Sequence, residues 1–600
     1  MMKLEKEDEL RFKKLGLASC LDLALLIPHS YEDLRLDTRL HVGVAQLVDV
    51  TVNSVVRTPN SIKINLYCHN FSHAMEAVIF KPKPYMLRQF LSGERYYLYG
   101  VIECKNGHCS MSHPKKITTC GTLTPRYKSV LRNDTMIRFM QKHLTVENLK
   151  AEGLKEEIIE KILDVHFPKE KIPYQQKSGF LKEYIETFKY LEIYNNMKQL
   201  ANKRRYFGSK HKLDSDYKEW QASLPFVLTD EQLLAIEDIK NDFCKDEAAR
   251  RMIVGDVGSG KTMVILASVM MTRPYRAVLM APTTLLANQL YEEAQKFLPE
   301  IKTALVTNKT SKIDLNGFDF IIGTHALLYR DLPDVALVMI DEQHRFGTAQ
   351  RNLLNKLVSG GERKAHFLQF SATPIPRTQA MIQTAHIDVS LITKTPFTKD
   401  ISSKVIHKED FSDLLEHISA EIAQDHQVLL VYPLVEESEA FNYQSINEAR
   451  SFWEKKFENV YITHGKDKEK ERVLLDFREK GDILIATTVV EVGISLPRLS
   501  TVVIVGAERL GLSTLHQLRG RVSRTGLKGH CYLFTYQNSS QRLEQFCSTQ
   551  SGFEIAELDL KFRKSGDLLK GVNQSGSEFR WIDLSEDIEI VKEVKKDMNL

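Results

Sequence analysis

The chain has 600 residues, too many for one hydrophobic core, and its size argues for about three to five domains. With 43% hydrophobic and 27% charged residues, and a net charge of +4 from 82 basic and 78 acidic side chains, its balance neither requires nor excludes nucleic acid. Met1-Met2-Lys3-Leu4-Glu5-Lys6-Glu7-Asp8 lacks the apolar stretch of a secretory signal, and no apolar run reaches the roughly eighteen residues of a membrane span, so a cytosolic protein with no membrane partner is expected.

Residues from about 10 to 40 carry short helical patterns ending at Pro28 and Tyr31-Glu32-Asp33. From about Val42 to Ile117 the pattern alternates as strands do, for instance in Val50-Thr51-Val52-Asn53-Ser54-Val55 and Tyr96-Tyr97-Leu98-Tyr99. Lys105-Asn106-Gly107-His108 reads as a tight hairpin turn. Short strands at this spacing predict a small five-stranded barrel of the oligonucleotide/oligosaccharide-binding (OB) type, with a sandwich as the alternative.

The eight cysteines are scattered, which suits reduced thiols in a large intracellular protein rather than a disulfide framework. Cys104, His108, Cys109, His113 and Cys120 cluster, but they contain no CxxC pair and match no common tetrahedral zinc spacing. They read as thiols on and near a hairpin.

Residues from about 135 to 213 look helical and charged, ending in Lys203-Arg204-Arg205-Tyr206 and Lys210-His211-Lys212. This basic run reads as a solvated helix end or linker, ahead of a phosphate contact.

From about residue 221 apolar strands alternate with helices. The first series has Ala277–Met280, Phe318–Ile322, Leu337–Ile340 and Phe367–Phe370. The second has Val428–Tyr432, Val460–Thr463, Ile483–Ala486, Val502–Val505 and Cys531–Phe534. Two such series predict two parallel-sheet α/β domains with helices on both faces. Ile392 to Lys404 has no strong core pattern and is expected to join them. The stretch after about 546 is helical, then irregular, and too short to fold alone, so it is expected to lean on the second α/β domain.

Gly255-Asp256-Val257-Gly258-Ser259-Gly260-Lys261-Thr262 follows the apolar run Met252-Ile253-Val254 and opens a helical stretch, the setting of a phosphate loop. The glycines let backbone N–H groups close around phosphate oxygens, aided by the helix N-terminus. Lys261 then reaches the β- and γ-phosphates, and Thr262 ligates Mg²⁺. Asp341 ends the apolar run Leu337-Val338-Met339-Ile340 and is delivered to the C-terminal edge of the sheet. Asp341 suits the metal, Glu342 suits the attacking water, and Gln343 and His344 suit sensing of the γ-phosphate. In Gln517-Leu518-Arg519-Gly520-Arg521-Val522-Ser523-Arg524, Arg521 and Arg524 lie three apart on one face, as a pair of arginine fingers would.

Together with Ala281-Pro282-Thr283-Thr284, Gly323-Thr324-His325-Ala326, Ser371-Ala372-Thr373-Pro374 and Thr487–Gly493, these motifs resemble the superfamily 2 helicases. More narrowly the chain resembles the RecG family of bacterial branch-migrating DNA helicases. That likeness rests on Asp341 to Gly347 with Arg345-Phe346, Pro374-Ile375-Pro376-Arg377-Thr378, Tyr432 to Ser438, Leu515-His516-Gln517, and Gly552-Phe553-Glu554-Ile555-Ala556-Glu557. It reaches the front of the chain through Lys14-Leu15-Gly16-Leu17 and Pro28 to Asp33, and so covers essentially its whole length.

The resemblance implies an N-terminal helical segment (1–41), an OB-fold wedge (42–134), a helical linker (135–220), two RecA-like motor domains (221–392 and 393–545) and a translocation-hairpin segment (546–600). It implies ATP-driven 3′–5′ unwinding of forks and Holliday junctions by a monomer in the bacterial cytoplasm at the nucleoid, with single-strand-binding protein as a further candidate partner. Gln232 resembles the adenine-reading glutamine, with Phe226 against the base. Phe80 and Tyr85 are the candidate wedge aromatics, Arg563 and Gln574 the candidate hairpin contacts to DNA, and Gln517 joins Gln343 and His344 as a coupling residue.

Departures from the family are Ser523 for glycine, Ser495 for aspartate, Asn573 for arginine, and Arg563-Lys564-Ser565-Gly566 for Arg-Gly-Pro-Gly. A residue other than glycine before Arg524 tilts that finger if the backbone there needs positive φ. Two alternative readings remain at this stage: a duplex translocase like the transcription-repair coupling factor, and a degenerate helicase that only binds branched DNA.

Overall fold

A computed structural model describes the chain except for residues 1–4, 59, 84–88, 106, 119, 170–173, 176–178, 311–312, 343–344, 347–349, 351–361, 398, 434–442, 466, 488–495, 524–525 and 571–578; for 174, 175, 179 and 563–570 the backbone alone is described. The chain divides into two compact units, Met1–Asn195 and Asn196–Leu600.

In the first unit, the strands Ala45–Arg57, Ser61–Cys68, His73–Phe80, Arg95–Lys105 and His108–Ser112 close a barrel, because the first pairs with both the second and the fourth. The third and fifth run parallel and the other neighbours antiparallel, the circuit of an OB-fold. Alternation builds its core: Ile62, Ile64, Leu66 and Cys68 point inward along one strand while their neighbours face water. Lys105 pairs with His108 across the tight turn, where Gly107 takes φ +80°. The next pair, Cys104 and Cys109, is joined in a disulfide, which corrects the expectation of reduced thiols there. Direct cross-strand pairing brings the two sulfurs together, and sequence spacing alone does not reveal it.

Beside the barrel, the strand Ser30–Asp33 pairs with Leu123–Arg126, and the helices Asn133–His143 and Glu156–His166 pack with the short helix Cys20–Ala24. His166 is fully buried, its Nδ1 against the Tyr127 hydroxyl at 2.9 Å and its Nε2 against Ala24 O at 2.9 Å.

Among the described residues of the second unit, the two large sheets are all-parallel. The first has seven strands in the order Thr303–Val306, Phe320–Gly323, Ala277–Met280, Leu337–Asp341, His366–Ser371, Arg250–Gly255 and Asp388–Ile392. The helix Lys261–Thr272 is apolar almost all round and nearly wholly buried on this sheet. Each such large apolar side chain contributes about 1.5–3 kcal/mol by leaving water. Leu213, Tyr217 and Trp220 also enter this core. Arg204, in the basic run, is engaged by Asp388 at 2.7 Å and Thr384 O at 3.2 Å, so it anchors chain to sheet.

The second sheet has the order Ile401–Ile406, Gly529–Phe534, Leu499–Val505, Gln427–Val431, Ile483–Ala486 and Val460–Thr463. Ile401 to Lys404 therefore belongs to an edge strand rather than a joining segment; half-exposed edge positions lack the apolar run that marks an inner strand. The helix Gly552–Lys570 packs on the second lobe through Leu512–Arg519. The final helix, Ile588–Asp597, packs instead on Arg377–Gln383 of the first lobe, so the C-terminal stretch leans on both.

Candidate functional site

The phosphate loop links the C-terminal end of Arg250–Gly255 to the helix Lys261–Thr272. Gly258 and Gly260 take φ +78° and +75°, conformations that L side chains rarely adopt. A Cβ at Gly255 would lie 2.4 Å from Ser259 Oγ, so the loop closes tightly on itself. Lys261 Nζ donates to Gly255 O at 2.9 Å and Asp256 O at 3.0 Å.

A cavity of about 340 Å³ lies over this loop. The first lobe contributes Lys261, Thr262, Asp341 and Glu342, and the second contributes Gln517 and Arg521. Phe397 and Lys399, from the segment between the sheets, complete it, and sequence reasoning passed over both.

Asp341 sits where its strand ends, and its Oδ1 is buried without a hydrogen-bond partner among the described residues. Burial, then repulsion from Glu342, raises the carboxyl well above the usual carboxylate range against the pull of Lys261. A buried carboxylate oxygen in a cavity that Thr262 also lines fits a hard divalent cation. Glu342 takes φ +51°, rare for a non-glycine residue, and its Oε1 accepts from the Ala372 N–H at 2.8 Å. That bond ties the Glu342 carboxylate to Ser371-Ala372-Thr373.

Between the lobes, Arg345 Nη2 donates to Gln517 Oε1 at 2.9 Å, and Gln517 Nε2 donates to Thr373 Oγ1 at 2.9 Å. Arg345 also lines a second cavity of about 390 Å³, with Thr283, Thr284, Thr324 and His325 on the first lobe and Lys470 on the second.

Gln232 is buried beneath the loop. Its Nε2 donates to Ser259 O at 2.8 Å, and its Oε1 accepts from the Thr229 N–H at 2.8 Å as part of a capping box. The half-exposed Phe226 meets Phe297 edge-on at 5.8 Å between centroids. Phe80 is 53% exposed at the end of its barrel strand, 5.8 Å from the His113 ring. Tyr85, Gln343, His344, Ser495, Arg524, Asn573 and Gln574 lie outside the described residues, and of Arg563 only the backbone is described. Ser523 is buried with φ +62°, so the backbone before Arg524 does take the conformation that favours glycine.

His417, Glu421 and His530 also converge, their donor atoms within 4.8 Å of one another. Glu421 is engaged by His426 and Ser500, and His417 by Thr501, so this group satisfies itself.

Two lobes closing on one phosphate loop define a nucleotide-driven motor, and residues 229–382 match the DEAD/DEAH box helicase family while 409–526 match the helicase conserved C-terminal domain. The ATP-dependent DNA helicase RecG of Helicobacter pylori is 45% identical over 99% of this chain and 98% of its own. That of Streptococcus pneumoniae is 31% identical over 98% and 92%. A solved structure of RecG bound to a three-way DNA junction aligns with a TM-score of 0.55 and 25% identity, covering 98% of this chain and 84% of that one. The chain belongs to the RecG family of ATP-dependent DNA helicases.

Proposed function

We propose that the chain couples ATP hydrolysis to 3′–5′ translocation on branched DNA, regressing stalled forks and migrating Holliday junctions. The observation that carries this reading is the single cavity lined by Lys261, Asp341 and Glu342 from one lobe and Arg521 from the other. A degenerate DNA binder has no need of that set.

When phosphates enter, Lys261 exchanges the carbonyls of Gly255 and Asp256 for β- and γ-oxygens. Asp341 and Thr262 would hold Mg²⁺, which would supply charge neutralisation at the phosphates when bound. Glu342 orients the attacking water, and Arg521, with Arg524 as its candidate partner, stabilises charge on the transferring phosphoryl group. Phe226 and Gln232 remain the candidates for adenine. Gln517 reports closure to Thr373 on the first lobe and, with Gln343 and His344, makes up the coupling set.

The second cavity suits a DNA backbone: Thr283 caps the helix Thr284–Phe297, whose first-turn amides favour a phosphate. The barrel is assigned the wedge, with Phe80 and Tyr85 as candidate stacking residues, each such contact worth about 1–3 kcal/mol. Arg563 and Gln574 are assigned to duplex contact. The proposal extends to a monomer working at the bacterial nucleoid, with single-strand-binding protein as a candidate partner. Among the described residues no helix is long and apolar enough to cross a membrane.

ATP turnover on forked, four-way and linear DNA across a salt series tests the reading. Preferential stimulation by branched DNA, lost in Lys261→Ala and Glu342→Gln, is expected; equal turnover on all three substrates would contradict it.

A further inference from the structure

Asp256 stands in the phosphate loop, yet its side chain turns away from the nucleotide cavity and is 6% exposed. Its carboxylate accepts three hydrogen bonds: from the Val257 N–H at 2.6 Å, from the Gly552 N–H at 2.8 Å, and from His516 Nε2. Gly552 opens the helix Gly552–Lys570, and His516 lies on Leu512–Arg519. One carboxylate of the first lobe therefore holds two elements from beyond the cleft.

The tautomer of His516 follows from its other neighbour. Arg519 Nη2 lies 3.3 Å from Nδ1, and a guanidinium only donates, so Nδ1 accepts and Nε2 carries the proton toward Asp256. Arg519 is itself fixed by Phe546 O at 3.0 Å and Gln550 O at 3.2 Å. The imidazole thus has little freedom to follow any other partner.

Gly552 leaves no slack either. A Cβ there would come within 2.6 Å of Asp256 Oδ1, 2.6 Å of Pro374 Cγ and 2.7 Å of His516 Nε2. An anion at a helix N-terminus is also favoured by the helix dipole. Burial would raise the Asp256 carboxyl, but His516, the Gly552 amide and Lys399 bring it down to about 2, so it is ionised.

We infer that Asp256 is a positioning residue that passes the nucleotide state of the phosphate loop directly to the helix Gly552–Lys570, in parallel with the Arg521 contact across the cavity. The inference rests on the chain being an ATP-driven DNA motor. The link is mechanical: Lys261 holds the Asp256 carbonyl, so moving that lysine onto phosphates releases the backbone that carries the carboxylate.

The test measures forks unwound per ATP hydrolysed in the full chain carrying Gly552→Ala, His516→Ala, Asp256→Asn, and the double variant Asp256→Asn/Gly552→Ala. Gly552→Ala and His516→Ala should keep DNA-free turnover and the KM for ATP within about threefold while forks unwound per ATP fall tenfold or more. The double variant should be no worse than its worse single, since both changes break one contact. Thermal unfolding identifies a variant that has lost its fold, and the other glycine or histidine variant then decides. Unwinding per ATP that is unchanged, turnover that falls in step with unwinding, or additive losses would overturn the inference. A wild-type chain without fork-stimulated turnover would instead overturn the reading beneath it.

Discussion

The Arg345 guanidinium donates to Gln517 Oε1 at 2.9 Å across the cleft, and the same arginine lines both the nucleotide cavity and the second cavity beyond it. Gln517 carries the connection on to Thr373, so three side chains join the segment that follows the strand Leu337–Asp341, the Ser371–Thr373 turn and the helix Leu512–Arg519. Losing a hydrogen bond to a charged group costs about 1.5–3 kcal/mol, which is more than tenfold in rate if the bond is needed at the transition state. Arg345→Lys and Gln517→Ala should each lower fork-stimulated kcat/KM by about tenfold or more, and the double variant should lose little further. Additive losses in steady-state kinetics would mean that the two residues act separately.

Ser523 holds φ +62° in a buried position, and a left-handed conformation costs a non-glycine residue about 1–2 kcal/mol. Ser523→Gly removes that strain and adds back some unfolded-state entropy. The net effect should be a gain of about 0.5–1 kcal/mol with ATP turnover retained. A lower Tm by calorimetry would show that the serine hydroxyl contributes more than the strain removes.

The Asp341 carboxyl, raised by burial and by Glu342, keeps in the folded state a proton that the unfolded state, near 3.8, has already lost. Stability from this group therefore declines as pH rises from about 4 toward the raised folded value, and above that the ionised buried acid is a liability. Asp341→Asn should raise the Tm by about 2–4 °C at pH 7.5 and less at pH 5. The same variant should lose a hundredfold or more in ATP turnover, about the cost of removing one preorganised electrostatic group. A Tm that drops at both pH values would contradict this account of the site.

His166 runs the other way. Burial lowers it from 6.5 to about 4, so below pH 6.5 the unfolded chain takes up a proton that the folded unit refuses. Stability is then lost at about 1.4 kcal/mol per pH unit as pH falls through that window. In urea unfolding from pH 7 to 4, His166→Gln should flatten the pH dependence by about one proton. An unchanged slope would place the acid sensitivity elsewhere.

Inner strands such as Ala277–Met280 and Ile483–Ala486 were legible because burial on both faces leaves an uninterrupted apolar run. The edge strand Ile401–Ile406 was not, since its alternating exposure resembles a loop of mixed composition. The phosphate loop and Asp341 declared themselves through spacing and flanking elements. The contact of Asp256 with His516 did not, because it joins residues 260 apart and only the closed fold pairs them. The same holds for Arg345 with Gln517, 172 apart, and for the helix Ile588–Asp597 on the first lobe. Gln232 was read from its motif, but its burial under the loop depends on the capping box and on Gly260, where a Cβ would lie 2.2 Å from Gln232 Nε2.

The central claim is that hydrolysis needs a side chain from each lobe in one cavity. Pre-steady-state ATP hydrolysis on forked DNA by Arg521→Ala, with nucleotide binding followed separately, tests it most directly. The account predicts binding within a few-fold of the unaltered chain and hydrolysis slower by about a thousandfold or more, the effect of losing an arginine finger. Hydrolysis within tenfold of the unaltered chain would contradict it.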